Sequence, residues 1–149
     1  MTNNKLIHVA IAIIYREDKF LMQLRDNIPG IVYPGYWGLF GGHLEEGENP
    51  EDAVKRELEE EIGYIPSTIS QFYSAQENQI MRHIFQAPLT VELGELVLTE
   101  GWDMALLTPA DIRSGSFYSD QAGMVRPIGP PHQKILLNFI EHKGDNYAN

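Results

Sequence analysis

The sequence predicts an α/β fold in which a mixed β-sheet lies between helices. Three observations predict it. Short runs rich in Val, Ile and aromatic residues recur through the 149-residue chain, separated by turn residues. Two helical patterns are set among them, one central and one terminal, so the order is strands, helix, strands, helix. The length suits one domain, residues 1–149, with one core.

The elements follow in order. Leu6–Tyr15 is rich in Val and Ile and reads as a buried strand. Glu17-Asp18 makes a turn, and Lys19–Arg25 reads as a second strand, hairpin-paired with the first. Asn27–Gly35 holds two prolines and two glycines and reads as a loop. Trp37–Phe40 is a short apolar strand that Gly41-Gly42 should break. Asn49 then caps a helix with Pro50 at its first position, where the missing N–H costs little. Glu51 and Asp52 suit its positive end. Gly63 ends it, with Pro66 just beyond. Thr68–Ser74 and Ile80–Ala87 read as strands, Leu89–Val97 as a further one, and Trp102–Leu107 as the last. Thr108-Pro109 opens a short helix to Arg113. Ser114–Pro131 reads as a long Gly/Pro/Ser loop carrying Phe117, Tyr118, Met124 and Arg126, of the kind that serves as a lid or binding loop. His132–His142 is an amphipathic helix with Ile135, Leu136, Phe139 and Ile140 inward.

Composition narrows the function. The chain has no cysteine, which excludes disulfides, thiolate metal sites and a cysteine nucleophile and fits a reducing compartment. The apolar run after the polar N-terminus is too short to span a bilayer and has no basic flank, so a soluble cytoplasmic protein without membrane partners is expected. The net charge of −10 argues against nucleic acid as a partner. Nine acids and two bases fall between Glu45 and Glu61, so most of that charge is one local cluster. A solvated helix face is the ordinary explanation of such a run.

The cluster has an order that a solvated face does not need. At about 100° per residue, Glu60 lies roughly 60° to one side of Glu57 and Glu61 roughly 40° to the other. Three carboxylates crowd one patch, while Val54, Leu58 and Ile62 form an adjoining apolar stripe that can dock on a sheet. Like charges at this spacing repel, and two things can offset them: Arg56, beside Glu60, or a divalent cation. All-oxygen ligation suits Mg²⁺ or Mn²⁺, and Mg²⁺ suits phosphate substrates because it shares their oxygens. The glycine pair lets the backbone approach closely, and its carbonyls are further candidate ligands.

The segment Gly42–Tyr64 resembles the Nudix box, G-x5-E-x7-R-E-U-x-E-E-x-G-U, with U a bulky aliphatic residue. Gly42, Glu48, Arg56, Glu57, Leu58, Glu60, Glu61 and Gly63 fill its fixed positions, and only Tyr64 departs. The resemblance implies a Nudix-type α/β/α sandwich and hydrolysis of a nucleoside diphosphate derivative by water attack at phosphorus. It implies that Glu57, Glu60 and Glu61 bind metal with the Gly41 carbonyl, that Arg56 and Glu48 orient the carboxylates, and that one acid of the set, or a later one, activates water. A downstream glutamate often completes such sites; Glu100 is the candidate here, ahead of Glu95. His43 sits at a variable place in the box loop. A homodimer is common among such proteins, though no residue here marks an interface.

Substrate contacts are expected from Arg25, which can reach a phosphate, and from Trp37 and Trp102, which with Tyr33 or Tyr36 can stack on a base. Elimination favours a nucleoside triphosphate or modified nucleotide in the manner of MutT. ADP-ribose-type enzymes usually carry a proline about sixteen residues past the box, where this chain has Ile80. ADP-ribose and nucleotide sugars remain the alternative substrates. The rival of another class is a nucleotide-binding sensor without catalysis, which usually loses box glutamates that are all present here.

Overall fold

The computed structural model describes residues 5–31 and 33–147. They form two compact units, each from two separate stretches of chain: one from residues up to Arg16 with Phe40–Thr99, the other from Glu17–Leu39 with Glu100 onward.

The first unit holds β1 (Ile7–Arg16), with β2 (Lys19–Leu24) and β3 (Trp37–Gly38) following in the other unit. It continues with β4 (Phe40–His43), α1 (Pro50–Ile62), β5 (Ser70–Glu77) and β6 (Ile80–Pro88). β1 is central. Its Val9–Ala12 pair antiparallel with His43–Phe40 of β4, and Ile7–Tyr15 run parallel to Ile80–Pro88 of β6. β5 pairs antiparallel with β6, with a register shift between Gln71 and Tyr73. The sheet is therefore mixed, as expected. Ala10–Ile14 are buried without a break, the mark of a strand covered on both faces. α1 packs on β4, β1 and β6. It does so through the predicted stripe: Val54, Leu58 and Ile62 are fully buried, which stabilises by roughly 5–9 kcal/mol as an upper bound.

Two expectations in this unit are corrected. The glycine pair does not break the strand; β4 runs through both residues. Gly41 has φ +148°, and a Cβ there would lie 2.1 Å from the Ala10 carbonyl oxygen, so the ladder can pass only because the side chain is absent. Leu89–Val97 is not a strand. The Glu92 N–H donates to the Glu95 carboxylate at 2.7 Å in a capping box, and this curls Leu93–Glu95 into a 3₁₀ turn.

The second unit is built on β2. Gln23 and Leu24 pair antiparallel with Gly38 and Trp37 of β3, and Phe20–Leu24 with Leu107–Asp103 of β7 (Asp103–Leu107). α2 (Pro109–Ser114) has the predicted Thr108 cap in a capping box with Asp111. It packs on α3 (Pro130–Tyr147), whose Phe139 meets Phe20 edge to face at 5.8 Å. The expected long loop is instead a hairpin, β8 (Ser116–Ser119) with β9 (Met124–Pro127). Gly115 at φ +82° turns the chain out of α2, and Gly123 N–H donates to the Ser119 carbonyl at 2.8 Å to close the hairpin. The glycines read as part of a long loop are turn residues, Gly115 at the entry to β8 and Gly123 in the turn before β9.

Candidate active site

The acid-bearing helix is fixed at both ends. The Asn49 side chain accepts from Asp52 N–H at 2.9 Å, and Pro50 follows in the first turn. Gly63, at φ +66°, donates to the Glu59 carbonyl at 3.0 Å, and Tyr64 N–H reaches Leu58. A later segment covers the next carbonyls: Val97 N–H donates to Ile62, Thr99 N–H to Glu61, and Thr99 Oγ1 to Glu60 at 3.0 Å. The last turn has no basic residue, so these donors are what offsets acids placed at the negative end of the helix.

Arg56 organises the acids. Its Nε and Nη2 fork the Glu48 carboxylate at 2.8 and 3.0 Å, a bidentate geometry that fixes both partners. Nη1 donates to Glu57 at 3.0 Å and Glu60 at 3.3 Å, and Glu45 stands 3.3 Å from Nε. Nη2 also donates to the His43 carbonyl, which ties the box loop to the helix. Glu48 in turn accepts from Glu45 N–H at 2.9 Å. The hydrogen bonds from Arg56 and from this backbone amide hold the Glu48 carboxyl below its ordinary value. The same carboxylate, with Glu57 and Glu45, holds the Arg56 guanidinium above its own.

The glycine pair places the other two acids. Gly41 N–H donates to Glu61 Oε2 at 3.1 Å. A Cβ on Gly42 would lie 2.5 Å from Glu57 Oε1, so Glu57 occupies the space that this glycine leaves open. Glu48, Arg56, Glu57, Glu60, Glu61 and Gly41 thus come together on one unit. Their donor set, carboxylates and a backbone carbonyl, fits a hard divalent cation. Among the described residues no three acidic or histidine side chains already converge on one point. Arg56 engages Glu57 and Glu60, and Gly41 engages Glu61.

Glu95 spends its carboxylate on the 3₁₀ turn. Glu100 is exposed in a bend of the second unit. In that unit Trp37 is fully buried, donates its indole N–H to the Phe117 carbonyl at 3.0 Å and meets the Phe117 ring edge to face. That is a core position. Trp102 is half-buried, and its backbone N–H donates to the Leu24 carbonyl at 2.8 Å. Arg25 and Trp37 do line a common small cleft, with Tyr33, Gly38, Gly129 and His132. The buried Arg25 Nε has no hydrogen-bond partner among the described residues. Sequence reasoning missed His132, whose Nδ1 accepts from Leu39 N–H at 2.8 Å across 93 positions, a spacing with no local signal. It also missed Thr99.

The NUDIX domain family model matches residues 5–126 of the chain. An ADP-ribose pyrophosphatase of Methanocaldococcus jannaschii is 35% identical over 144 residues, which cover 92% of this chain and 76% of that protein. A nucleoside triphosphatase, NudI, of Escherichia fergusonii is 56% identical, but over 32 residues, 22% of this chain and 23% of that one. Among solved structures, the solution structure of the E. coli ORF135 protein superposes with a TM-score of 0.68 over 97% of this chain and 96% of that one; at 23% identity the likeness is one of fold.

Proposed function

Because the chain belongs to the Nudix family and is a hydrolase of phosphoric anhydride bonds in nucleoside diphosphate derivatives, we propose that it works with Mg²⁺ or Mn²⁺ on a nucleoside triphosphate or modified nucleotide. The observation that carries this reading is the single guanidinium that ties Glu48 of the box loop to Glu57 and Glu60 of α1. Glu57, Glu60, Glu61 and the Gly41 carbonyl would hold the cation. Bound there, the metal would polarise phosphoryl oxygens and lower the pKa of water. The chain's own residues do the rest. The Arg56–Glu48 fork keeps the guanidinium in one orientation, so the acids it touches are placed before substrate arrives. The Gly41 amide holds one Glu61 oxygen at 3.1 Å and so fixes that carboxylate beside the glycine pair. A carboxylate of this set takes the proton from the attacking water.

A second reading, ADP-ribose or a nucleotide sugar, is favoured by the M. jannaschii relative, which matches 92% of this chain. Phosphate release over nucleoside triphosphates, oxidised nucleotides, ADP-ribose and nucleotide sugars, with phosphatase coupling, separates the two. Turnover that EDTA abolishes and Mg²⁺ restores supports the proposal, and the best substrate names the class. A folded protein silent on the whole panel sinks it and favours a binding role.

A further inference from the structure

On the first unit, across β1 and β6, two imidazoles face each other. His8 of β1 and His83 of β6 bring Nδ1 and Nε2 to 2.9 Å, with ring planes 15° apart. Neighbouring strands fix this approach: His8 lies opposite Met81, and His83 opposite Ala10 on one side and Ser74 on the other. The other nitrogen of His83 is held as well. Its Nδ1 lies 3.2 Å from Ser74 Oγ, and Gln71 Nε2 donates to the same hydroxyl.

We infer that His8 and His83 form a two-imidazole site for a borderline divalent transition metal such as Zn²⁺, which clips β1 to β6.

The geometry is that of a ligand pair with a proton between them. Two facing ring nitrogens at this distance share one hydrogen, since two N–H groups would collide and two lone pairs would repel. When the pair is neutral, two protons occupy four ring nitrogens. If His83 donates Nδ1–H to Ser74, its Nε2 lone pair points at His8, whose proton then sits on Nδ1. Metal entry requires only that His8 move this proton to Nε2, which solvent can relay because His8 is exposed. Both facing lone pairs then bind metal, and no net proton is released. Zinc–imidazole bonds of about 2.0–2.1 Å at a tetrahedral angle need nitrogens roughly 3.3–3.4 Å apart. The pair must therefore open by about 0.4–0.5 Å, within the reach of side-chain rotation at a half-exposed site.

The surroundings support this. The Ser74 hydroxyl orients His83 from behind, as outer partners orient ligating histidines. Burial and the neighbouring His8 hold His83 below the ordinary imidazole value, which favours the neutral, ligating form. No third acidic or histidine ligand joins the pair among the described residues, so water would fill the other positions. Imidazole donors distinguish this site from the all-oxygen set on α1, because they prefer Zn²⁺, Ni²⁺ or Cu²⁺ to Mg²⁺.

The test is ZnCl₂ titration of the whole chain in excess MgCl₂, read by imidazole ¹⁵N shifts and by Tm. Expected are shifts at both histidines and a rise in Tm. Zinc at ten times its Kd displaces the folding equilibrium about elevenfold. His83→Gln should abolish both responses, and Ser74→Ala should weaken binding roughly tenfold or more through loss of orientation. Should His83→Gln prove unfolded, His8→Gln gives the same comparison. Zinc shifts absent from the wild type, or unchanged in a folded histidine variant, overturn the inference. Nucleotide turnover plays no part in this readout, so it stands or falls apart from the hydrolase proposal.

Discussion

Adjacent glycines of β4 should fail in opposite ways when each becomes alanine. Gly41 sits at φ +148°, and an added Cβ would lie 2.1 Å from the Ala10 carbonyl oxygen and 2.8 Å from Ile11 Cα, backbone atoms of the central strand. Strain at such a φ costs roughly 1–3 kcal/mol, and overpacking against rigid atoms roughly another 1–3 kcal/mol. The sum, about 4 kcal/mol, lowers Tm by about 8–16 °C in a chain of this size. Gly42 is not among the positive-φ glycines, and the atoms nearest its added Cβ are those of the Glu57 carboxylate, at 2.5–3.0 Å. That carboxylate ends a flexible side chain and can swing aside, so stability should change by less than about 1 kcal/mol. Turnover should not survive so well, because a displacement of about 1 Å at a reacting group costs on the order of 100-fold. The assay is thermal unfolding beside steady-state hydrolysis of the best substrate. Gly41→Ala should be markedly less stable; Gly42→Ala should be stable and nearly inactive. Wild-type turnover in Gly42→Ala at unchanged Tm would refute the placement of Glu57 as a functional requirement. An undiminished Tm in Gly41→Ala would refute the account of β4.

Further outcomes follow from the same geometry. Glu57→Gln and Glu60→Gln should each lower kcat by at least roughly 100-fold while keeping Tm, since removing one of several crowded carboxylates relieves repulsion; wild-type rates in both would exclude the proposed mechanism. Arg56→Met should lower Tm, because Glu45, Glu48, Glu57 and Glu60 lose their shared counter-charge. Added NaCl should restore part of that loss by screening, and an Arg56→Met protein indifferent to salt would count against this role. Tyr64→Phe should cost about 1–3 kcal/mol with turnover unchanged. The Tyr64 hydroxyl donates to the Pro88 carbonyl at 2.7 Å and accepts from Thr90 N–H at 3.0 Å, and both would lose it in a buried place.

What could be read from the sequence was local. Asn49, Pro50 and Gly63 bounded α1 because caps act within one turn, and Val54, Leu58 and Ile62 gave its buried face because helical spacing is fixed. The grouping of Arg56 with Glu48, Glu57 and Glu60 was equally legible, since three of the four lie within five residues on one helix. Tyr64, the one departure from the box, is a buried packing residue, but its bond to Pro88 lies 24 residues away and left no trace in the pattern. Ser114–Pro131 was misjudged because glycine serves loops and tight hairpins alike, and only the pairing of Ser116–Ser119 with Met124–Pro127 separates them. Trp37 shows the same limit. Its type suits stacking, yet its burial is decided by Phe117, eighty positions on.

The interleaving of the two units sets a timetable for the chain's synthesis. β1 ends at Arg16, but its parallel partner begins at Ile80. At about 5–20 residues per second, a ribosome takes roughly 3–13 s to deliver β6 after β1. During that interval Ile13 and Ile14 lack Gln86 and Ala87, their partners on β6, while β4 reaches only Val9–Ala12, and the acid helix lacks the strand beneath part of its apolar face. The second unit waits longer, because β2 needs β7 from Asp103 and Phe20 needs Phe139. Neither unit can close while the chain is half made. Expression at lower temperature, which slows association of exposed strands, is therefore expected to raise the soluble yield more than any change to the surface of the finished protein.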